Sequence, residues 1–502
     1  MHDMMLTAHG RRLSTLCSIV LCLILCFPAV TVAQHEAAIE QARSLIESLR
    51  EVTGTPGVTV SVGIREHIVW SEGFGYADLE QRVPARPDVT RFRVGSISKL
   101  MTAAAVGQLY EQGRLDIDAP IQDYVPSFPC KPEGTITTRL LAGHVAGIRH
   151  YRNDEFLNRK HYLTVLESLD IFKDDPLLHP PGSKLSYSTY GWNLIGAAVE
   201  GASGDDFLTY MSRHVFLPVG MDCTTADDVT RIIEDRTRYY EWRNGCVSNT
   251  PPVDNSCKWA GGGFLSTSED LVRFGFAHLD SSLLRSETVR LLWTPQYTTD
   301  GTETGYGIGW LVSKDDRGRR LAWHYGGAVG GTTVFCLYPD SRIVIAVIFN
   351  MSGVRYGNVA DKLADLFSGI DVPKSFGASL LTVVLNDGVT AAMDHYAYLK
   401  RSQYGHYNFD DERELSGVGY GLLARERIDE AIAIFELNAA EFPASPVVFD
   451  NLGDACAEHG RLEQAERSYK QAIENAEAVN HPYLQEFREK LERVRKRLSG
   501  ND

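Results

Sequence analysis

Apolar positions along this chain change their period three times. Near the beginning, Gly57-Val58-Thr59-Val60-Ser61-Val62-Gly63-Ile64 reads as a buried strand, with Ile68-Val69-Trp70 as its hairpin partner. An amphipathic helix is predicted ahead of them, over His35 to Glu51. Met101 to Tyr110 are mostly good helix formers with an apolar stripe, and Trp192 to Val199 form a second apolar helical stretch. After Gly305 the pattern returns to strand length: Trp310-Leu311-Val312, Arg320 to His324, Thr333 to Tyr338 and Ile343 to Asn350. A helix and hairpin first, helices and loops from Asp116 to about Asp300, and strands last do not make a run of β-α-β units. The order predicts an α+β fold, an antiparallel sheet flanked by helices with a helical subdomain.

From about Val372 a third pattern takes over. Ala431 and Ala465, Phe435 and Tyr469, and Gly419 and Gly453 each recur at a spacing of 34 residues. That period, with Pro443 at the end of one unit and Asn451-Leu452-Gly453 near the start of the next, predicts stacked helix pairs resembling tetratricopeptide repeats. Ala392 and Tyr396 supply a degenerate third unit. Leu484, Phe487, Leu491, Val494 and Leu498 form one stripe, read as a solvating cap on the array in preference to a heptad seam for another chain. The concave face is open to two uses, binding a protein partner or docking on the preceding domain.

Composition adds limits. A chain of 502 residues, 44% apolar, is too long for one ordinary core. Its net charge of −15, without a Lys/Arg block, argues against nucleic acid as a partner. Arg11 and Arg12 precede an apolar run from Leu13 to Val32, and Thr31-Val32-Ala33 is an acceptable cleavage site, so residues 1–33 read as an export signal. The expected organisation is a signal over 1–33, a catalytic domain over 35–370 and a helical repeat domain over 372–502. The mature protein is expected to be periplasmic or secreted, with no stable membrane insertion. Of nine cysteines, Cys246 and Cys257 bracket a Pro-rich loop and are the pair placed for a local disulfide.

Candidate chemistry centres on Arg91-Phe92-Arg93-Val94-Gly95-Ser96-Ile97-Ser98-Lys99-Leu100. Ser96 is placed at a helix start with Lys99 one turn above it, close enough for an amine to reach a hydroxyl. The helix N-terminus favours a developing oxyanion. The bland alternative is a Ser N-cap with a solvated Lys. Pro181-Gly182 sets up Tyr187 and Ser188 on a short loop, where a cationic Lys nearby is expected to lower the phenol pKa and make it a proton acceptor. Gly261-Gly262-Gly263 matches no phosphate-loop spacing and reads as close backbone packing against the sheet. His144, in a helix-to-loop corner, reads as a structural hydrogen-bonder. His324 lies on a strand opening into Gly326-Gly327, where backbone N–H groups can face a substrate.

Taken in order, Phe92 to Lys99, Tyr187-Ser188-Thr189, the triple glycine and His324-Tyr325-Gly326-Gly327 resemble the serine β-lactamase-like superfamily of β-lactamases, D-Ala-D-Ala peptidases and related esterases. Within it the resemblance is to hydrolases similar to the mitochondrial β-lactamase-like protein, and it covers roughly Ala38 to Phe367. It implies Ser96 as nucleophile, Lys99 as proton relay, Tyr187 as general base or acid, and the N–H groups of Ser96 and Gly327 as the oxyanion hole, with no metal or organic cofactor. His324-Tyr325-Gly326 stands where the family's Lys-Thr-Gly falls, and Thr189 where many members have Asn. Loss of that permanent cation is expected to weaken carboxylate binding. The reading is an exported serine hydrolase acting on an ester or amide, with a weakly catalytic sensor or a D-Ala-directed peptidase as alternatives.

Overall fold

Ile343–Phe349, seven apolar residues without a polar interruption, is buried at every position, as a strand covered on both faces must be. It lies at the centre of a seven-stranded antiparallel sheet in the computed structural model, which describes residues 35–500. The strands of this sheet are β1 (Gly57–Ile64), β2 (His67–Asp78), β3 (Val83–Pro84), β4 (Leu311–Lys314), β5 (Arg320–Ala328), β6 (Gly331–Tyr338) and β7 (Ile343–Phe349). Their order is β3-β2-β1-β7-β6-β5-β4, so the N-terminal hairpin and the C-terminal meander meet where β1 pairs with β7.

Four helices flank the sheet, α1 (35–53), α2 (Ile97–Glu111), α4 (Ser268–Leu279) and α5 (Val359–Phe367), while α3 (Thr189–Ser203) packs on α2. Alternate residues of β7 serve two cores, as the strand period dictates. Ile345 and Val347 join Val58 and Val60 beneath α1 and α5. Val344, Ala346 and Ile348 join the core containing α2, α3 and α4. No helix among the described residues is long and apolar enough to cross a membrane. The proposed signal over 1–33 lies outside the described residues.

Seven helices follow: α6 (Gly377–Asp387), α7 (Val389–Ser402), α8 (Glu412–Ala424), α9 (Ile428–Glu441), α10 (Pro446–Glu458), α11 (Leu462–Val479) and α12 (Leu484–Leu498). The 34-residue spacing marks one joint used twice. A Cβ on Gly419 would lie 2.6 Å from the Phe435 ring, and one on Gly453 would lie 2.6 Å from the Tyr469 ring. Glycine thus lets each aromatic of the second helix lie against the backbone of the first. Ala392 and Tyr396 are buried on α7, but no glycine of α6 faces the Tyr396 ring, which packs edge-on against Phe376 and Phe409. Phe487, Leu491 and Val494 of α12 are buried within the chain, against α11 and its neighbours, while Leu498 of the same stripe is exposed.

The helical region docks on the sheet domain. Arg425 of α8's C-terminal end donates to the carbonyl of Val52 at 3.0 Å, and the Lys362 amine of α5 lies 2.8 Å from Glu414 and 3.2 Å from Asp411. The disulfide for which Cys246 and Cys257 were candidates is not formed: both thiols are free. Cys246 is exposed at the start of the second strand of a hairpin, Cys246–Asn249, whereas Cys257 is buried in the 3-10 turn Asn255–Lys258 with its thiol 3.7 Å from the Asp254 carbonyl.

Candidate active site

Two chain segments deliver Ser96. The short strand Phe92–Arg93 pairs with Leu265–Ser266, which follow the triple glycine, so that pairing fixes the glycine turn beside the start of α2. Arg93 anchors the approach: its buried guanidinium lies 2.7 Å from Asp227, donates to the Val329 carbonyl and covers the Tyr239 ring. Ser96 then occupies the N-cap position of α2, yet its hydroxyl makes no cap hydrogen bond. The bland capping role is thereby removed.

The Ser96 hydroxyl is instead held between two proton-bearing groups. Lys99 Nζ lies 3.0 Å from Ser96 Oγ, and the Tyr187 hydroxyl donates to the same oxygen at 2.7 Å. Lys99 is fully buried. Its other neighbours are the Gly261 carbonyl at 2.6 Å and Thr189 Oγ1 at 3.2 Å. Desolvation, and then the charge of Lys258, hold the Lys99 amine well below its ordinary pKa. Gly261 is required where it stands, because a Cβ would lie 2.6 Å from the Thr189 methyl. The triple glycine therefore packs against the starts of α2 and α3 and not against the sheet.

Tyr187 departs from its expected chemistry. Its pKa is raised, because burial penalises the phenolate more than the Ser96 hydrogen bond favours it. The lysine expected to supply a positive charge is itself desolvated. Histidines surround the phenol and fix it. His144, at φ 61 and buried, stacks on the Tyr187 ring with centroids 4.2 Å apart, and its Nδ1 accepts from the Ser188 N–H at 3.1 Å. The next N–H, that of Thr189, donates to His150 Nδ1 at 3.3 Å. His144 is thus the structural hydrogen-bonder its position suggested.

His324 is placed differently from a substrate-facing residue. It is fully buried, and its Nδ1–H donates to the Tyr325 carbonyl at 2.6 Å, which leaves the lone pair on Nε2. Burial pushes its pKa down to about 3, so the ring is neutral, and it does not line the cleft over Ser96. His324 therefore supplies no cation to a ligand: the side chain packs behind Tyr187, 6.3 Å between ring centroids, and is not the substrate-facing residue that its motif position implied. Gly326 is likewise internal, its missing Cβ replaced by the Val94 carbonyl. Thr189 and Gly327 do line the cleft, Thr189 with its hydroxyl turned to Lys99.

The cleft has a volume of about 510 Å³. Besides Ser96, Tyr187, Thr189 and Gly327, its walls include His150, Tyr151, Phe156 and Lys258, which the sequence did not single out. Arg149-His150-Tyr151 stands in a loop and Lys258 in a turn, where no periodicity reports burial. Among the described residues no group of three or more His, Cys, Asp or Glu is arranged to hold a metal ion.

Comparison with known proteins covers this same region. A Beta-lactamase family model matches residues 42–367. The mitochondrial serine beta-lactamase-like protein LACTB of Homo sapiens is 34% identical over 434 residues, spanning 65% of this chain and 79% of its own. Among solved structures, a penicillin-binding protein from Bacillus halodurans superposes with a TM-score of 0.55 at 25% identity, over 64% of this chain and 98% of its own. An octameric penicillin-binding protein homologue from Pyrococcus abyssi gives a TM-score of 0.59 at 24% identity, over 69% of this chain and 81% of its own.

Proposed function

Because this chain belongs to the beta-lactamase family, we propose that it is a serine hydrolase that cleaves an ester or amide through an acyl-enzyme on Ser96. The observation that carries the reading is the position of Ser96 Oγ between Lys99 Nζ at 3.0 Å and the Tyr187 hydroxyl at 2.7 Å. A neutral amine has two N–H donors and one lone pair. The Gly261 carbonyl and Thr189 Oγ1 take the two donors, which leaves the lone pair for the Ser96 hydroxyl hydrogen.

Lys99 then acts as the base. As Ser96 Oγ bonds to the carbonyl carbon, its proton passes to Lys99 and the carbonyl π electrons move to oxygen. The N–H groups of Ser96 and Gly327 are the proposed oxyanion donors, assisted by the N-terminus of α2. Collapse of the tetrahedral intermediate breaks the bond to the leaving group, which takes a proton from the Tyr187 phenol; Lys99 returns its proton to Tyr187. Water repeats the sequence on the acyl-enzyme and regenerates Ser96. The raised pKa of Tyr187 fits a proton donor better than a phenolate base. Residues 11–33 further support a reading in which this chemistry takes place after export.

The test is intact mass after brief exposure to a short-chain activated ester, beside a Ser96→Ala control. The expected result is a transient acyl adduct on the wild type alone, with turnover lowered ~10³-fold or more in the variant. Equal turnover in both proteins, or an adduct that persists in Ser96→Ala, would end the proposal.

A further inference from the structure

Lys258 is a buried cation on the wall of the Ser96 cleft without an anionic partner. The residue is 3% exposed, and no carboxylate lies within salt-bridge distance of Nζ among the described residues. Its one hydrogen bond, to the Phe156 carbonyl, is long at 3.4 Å, so it satisfies at most one of three N–H donors. Nζ lies 4.4 Å from the centre of the Phe156 ring and 5.2 Å from that of Tyr151, two residues that line the same cleft. Ring faces compensate a desolvated ammonium only in part.

The neighbouring acids are already engaged. Asp227 is held by Arg93 and Asn255, and Glu155 by Arg149 and Tyr190. Among the residues that line the cleft there is no Asp or Glu, and Lys258 is the one Lys or Arg. Lys99 lies beneath Ser96, close enough that, after desolvation, the Lys258 charge lowers its pKa, and both amines lower that of His150. A group that costs this much to bury is matched when a ligand brings the missing charge.

We infer that Lys258 binds a carboxylate of the substrate, so that the preferred esters or amides carry an anionic carboxylate within reach of its Nζ while their scissile carbonyl lies on Ser96. The inference rests on the hydrolase reading above and narrows its substrate class. It assigns to Lys258, from the opposite side of the sequence motif set, the cation that buried His324 does not provide.

The test is a matched pair of substrates at two chain lengths: the mono-p-nitrophenyl esters of adipic and suberic acid, and the same esters with the free carboxyl capped as a methyl ester. In the wild type the anionic member is expected to exceed its capped counterpart in kcat/KM by ~10- to 100-fold at one length or both, the usual worth of a charge-assisted hydrogen bond. Lys258→Arg should keep the preference and Lys258→Met should bring the ratio close to one. A ratio near one in the wild type at both lengths overturns the inference, whether or not either variant folds; so does a preference that survives in Lys258→Met. Acylation of Ser96 by the capped ester, read as mass, separates the two levels. If it occurs without anion preference, only the carboxylate site falls; if neither ester acylates Ser96, the hydrolase reading falls with it.

Discussion

The imidazole of His144 lies flat on the phenol of Tyr187, with ring centroids 4.2 Å apart and planes inclined by 29°. The same imidazole accepts the N–H of Ser188, so one residue fixes both the ring and the backbone that presents it. At φ 61 the position also favours residues that tolerate the left-handed region, of which Asn is one. His144→Asn can keep the backbone geometry and the acceptor while losing the stacked ring; His144→Ala loses all three. The expected order of kcat is wild type, then Asn, then Ala, with the last down ~10- to 100-fold and KM changed much less. A uniform loss in kcat and thermal stability for both variants would mean that His144 serves folding alone.

Proton bookkeeping at Lys99 makes a second prediction. The amine is a base only when neutral, and burial lowers its pKa, so kcat/KM should fall on an acid limb that lies below the ordinary lysine value. Tyr187 is shifted the other way and should remain a phenol, so no rise in activity should accompany the usual phenol ionisation near pH ~10. Lys99→Arg keeps a cation that cannot deprotonate. It should lower kcat/KM by ~10³-fold or more, as expected for loss of the base and not of charge alone. A profile that climbs through pH ~10, or an active Lys99→Arg enzyme, would transfer the role of base to Tyr187.

The repeat joints allow a size-exchange experiment. Because the Phe435 ring occupies the space of a side chain at Gly419, Gly419→Leu should overpack the α8–α9 contact and destabilise by ~1–3 kcal/mol, while Phe435→Ala should cost ~3–5 kcal/mol through a cavity. Combined, the two changes should cost clearly less than their sum, since the new leucine enters the vacated space. Chemical denaturation of the four proteins measures this; strict additivity would show that the two sites do not share one volume.

How far the sequence disclosed this molecule depended on the kind of signal. Ile343–Phe349 and the 34-residue spacing of Gly419 and Gly453 were legible because an unbroken apolar run of strand length reports burial and a fixed repeat reports stacking. Ser96, Lys99 and Tyr187 were legible as motif positions, and the fold brings all three together. Protonation states were not. The lowered pKa expected for Tyr187 assumed a charged neighbour in a polar loop, whereas desolvation acts on phenol and amine alike. His324 left its expected place, and Lys258, which the sequence did not single out, took one on the cleft wall, for a related reason. A histidine on a strand and a lysine in a turn carry no mark of which way each points, and only tertiary packing puts His324 inside and Lys258 on the cleft wall.

A final prediction concerns the joint between sheet and repeats. Lys362 of α5 is 12% exposed in its side chain and sits between Asp411 and Glu414, whose side chains are 7% and 6% exposed. Glu414 also accepts from Ser375 at 2.6 Å, and Asp411 from Arg413 at 2.7 Å, so the acids keep partial partners if the lysine is removed. Truncating one member of a buried charge group typically costs ~3–5 kcal/mol, because the remaining charges stay desolvated. Lys362→Met should fall at or below the lower end of that range, given those residual bonds. Neutralising the acids as well, in Lys362→Met/Asp411→Asn/Glu414→Gln, should recover much of the loss, because no unpaired charge is left behind. Since α1 and α5 cover one face of the sheet and also meet the helical region through Val52 and Lys362, the loss should appear as one cooperative transition moving down for the whole molecule. Two separated transitions in calorimetry, with only the later residues affected, would instead mean that sheet and repeats unfold independently.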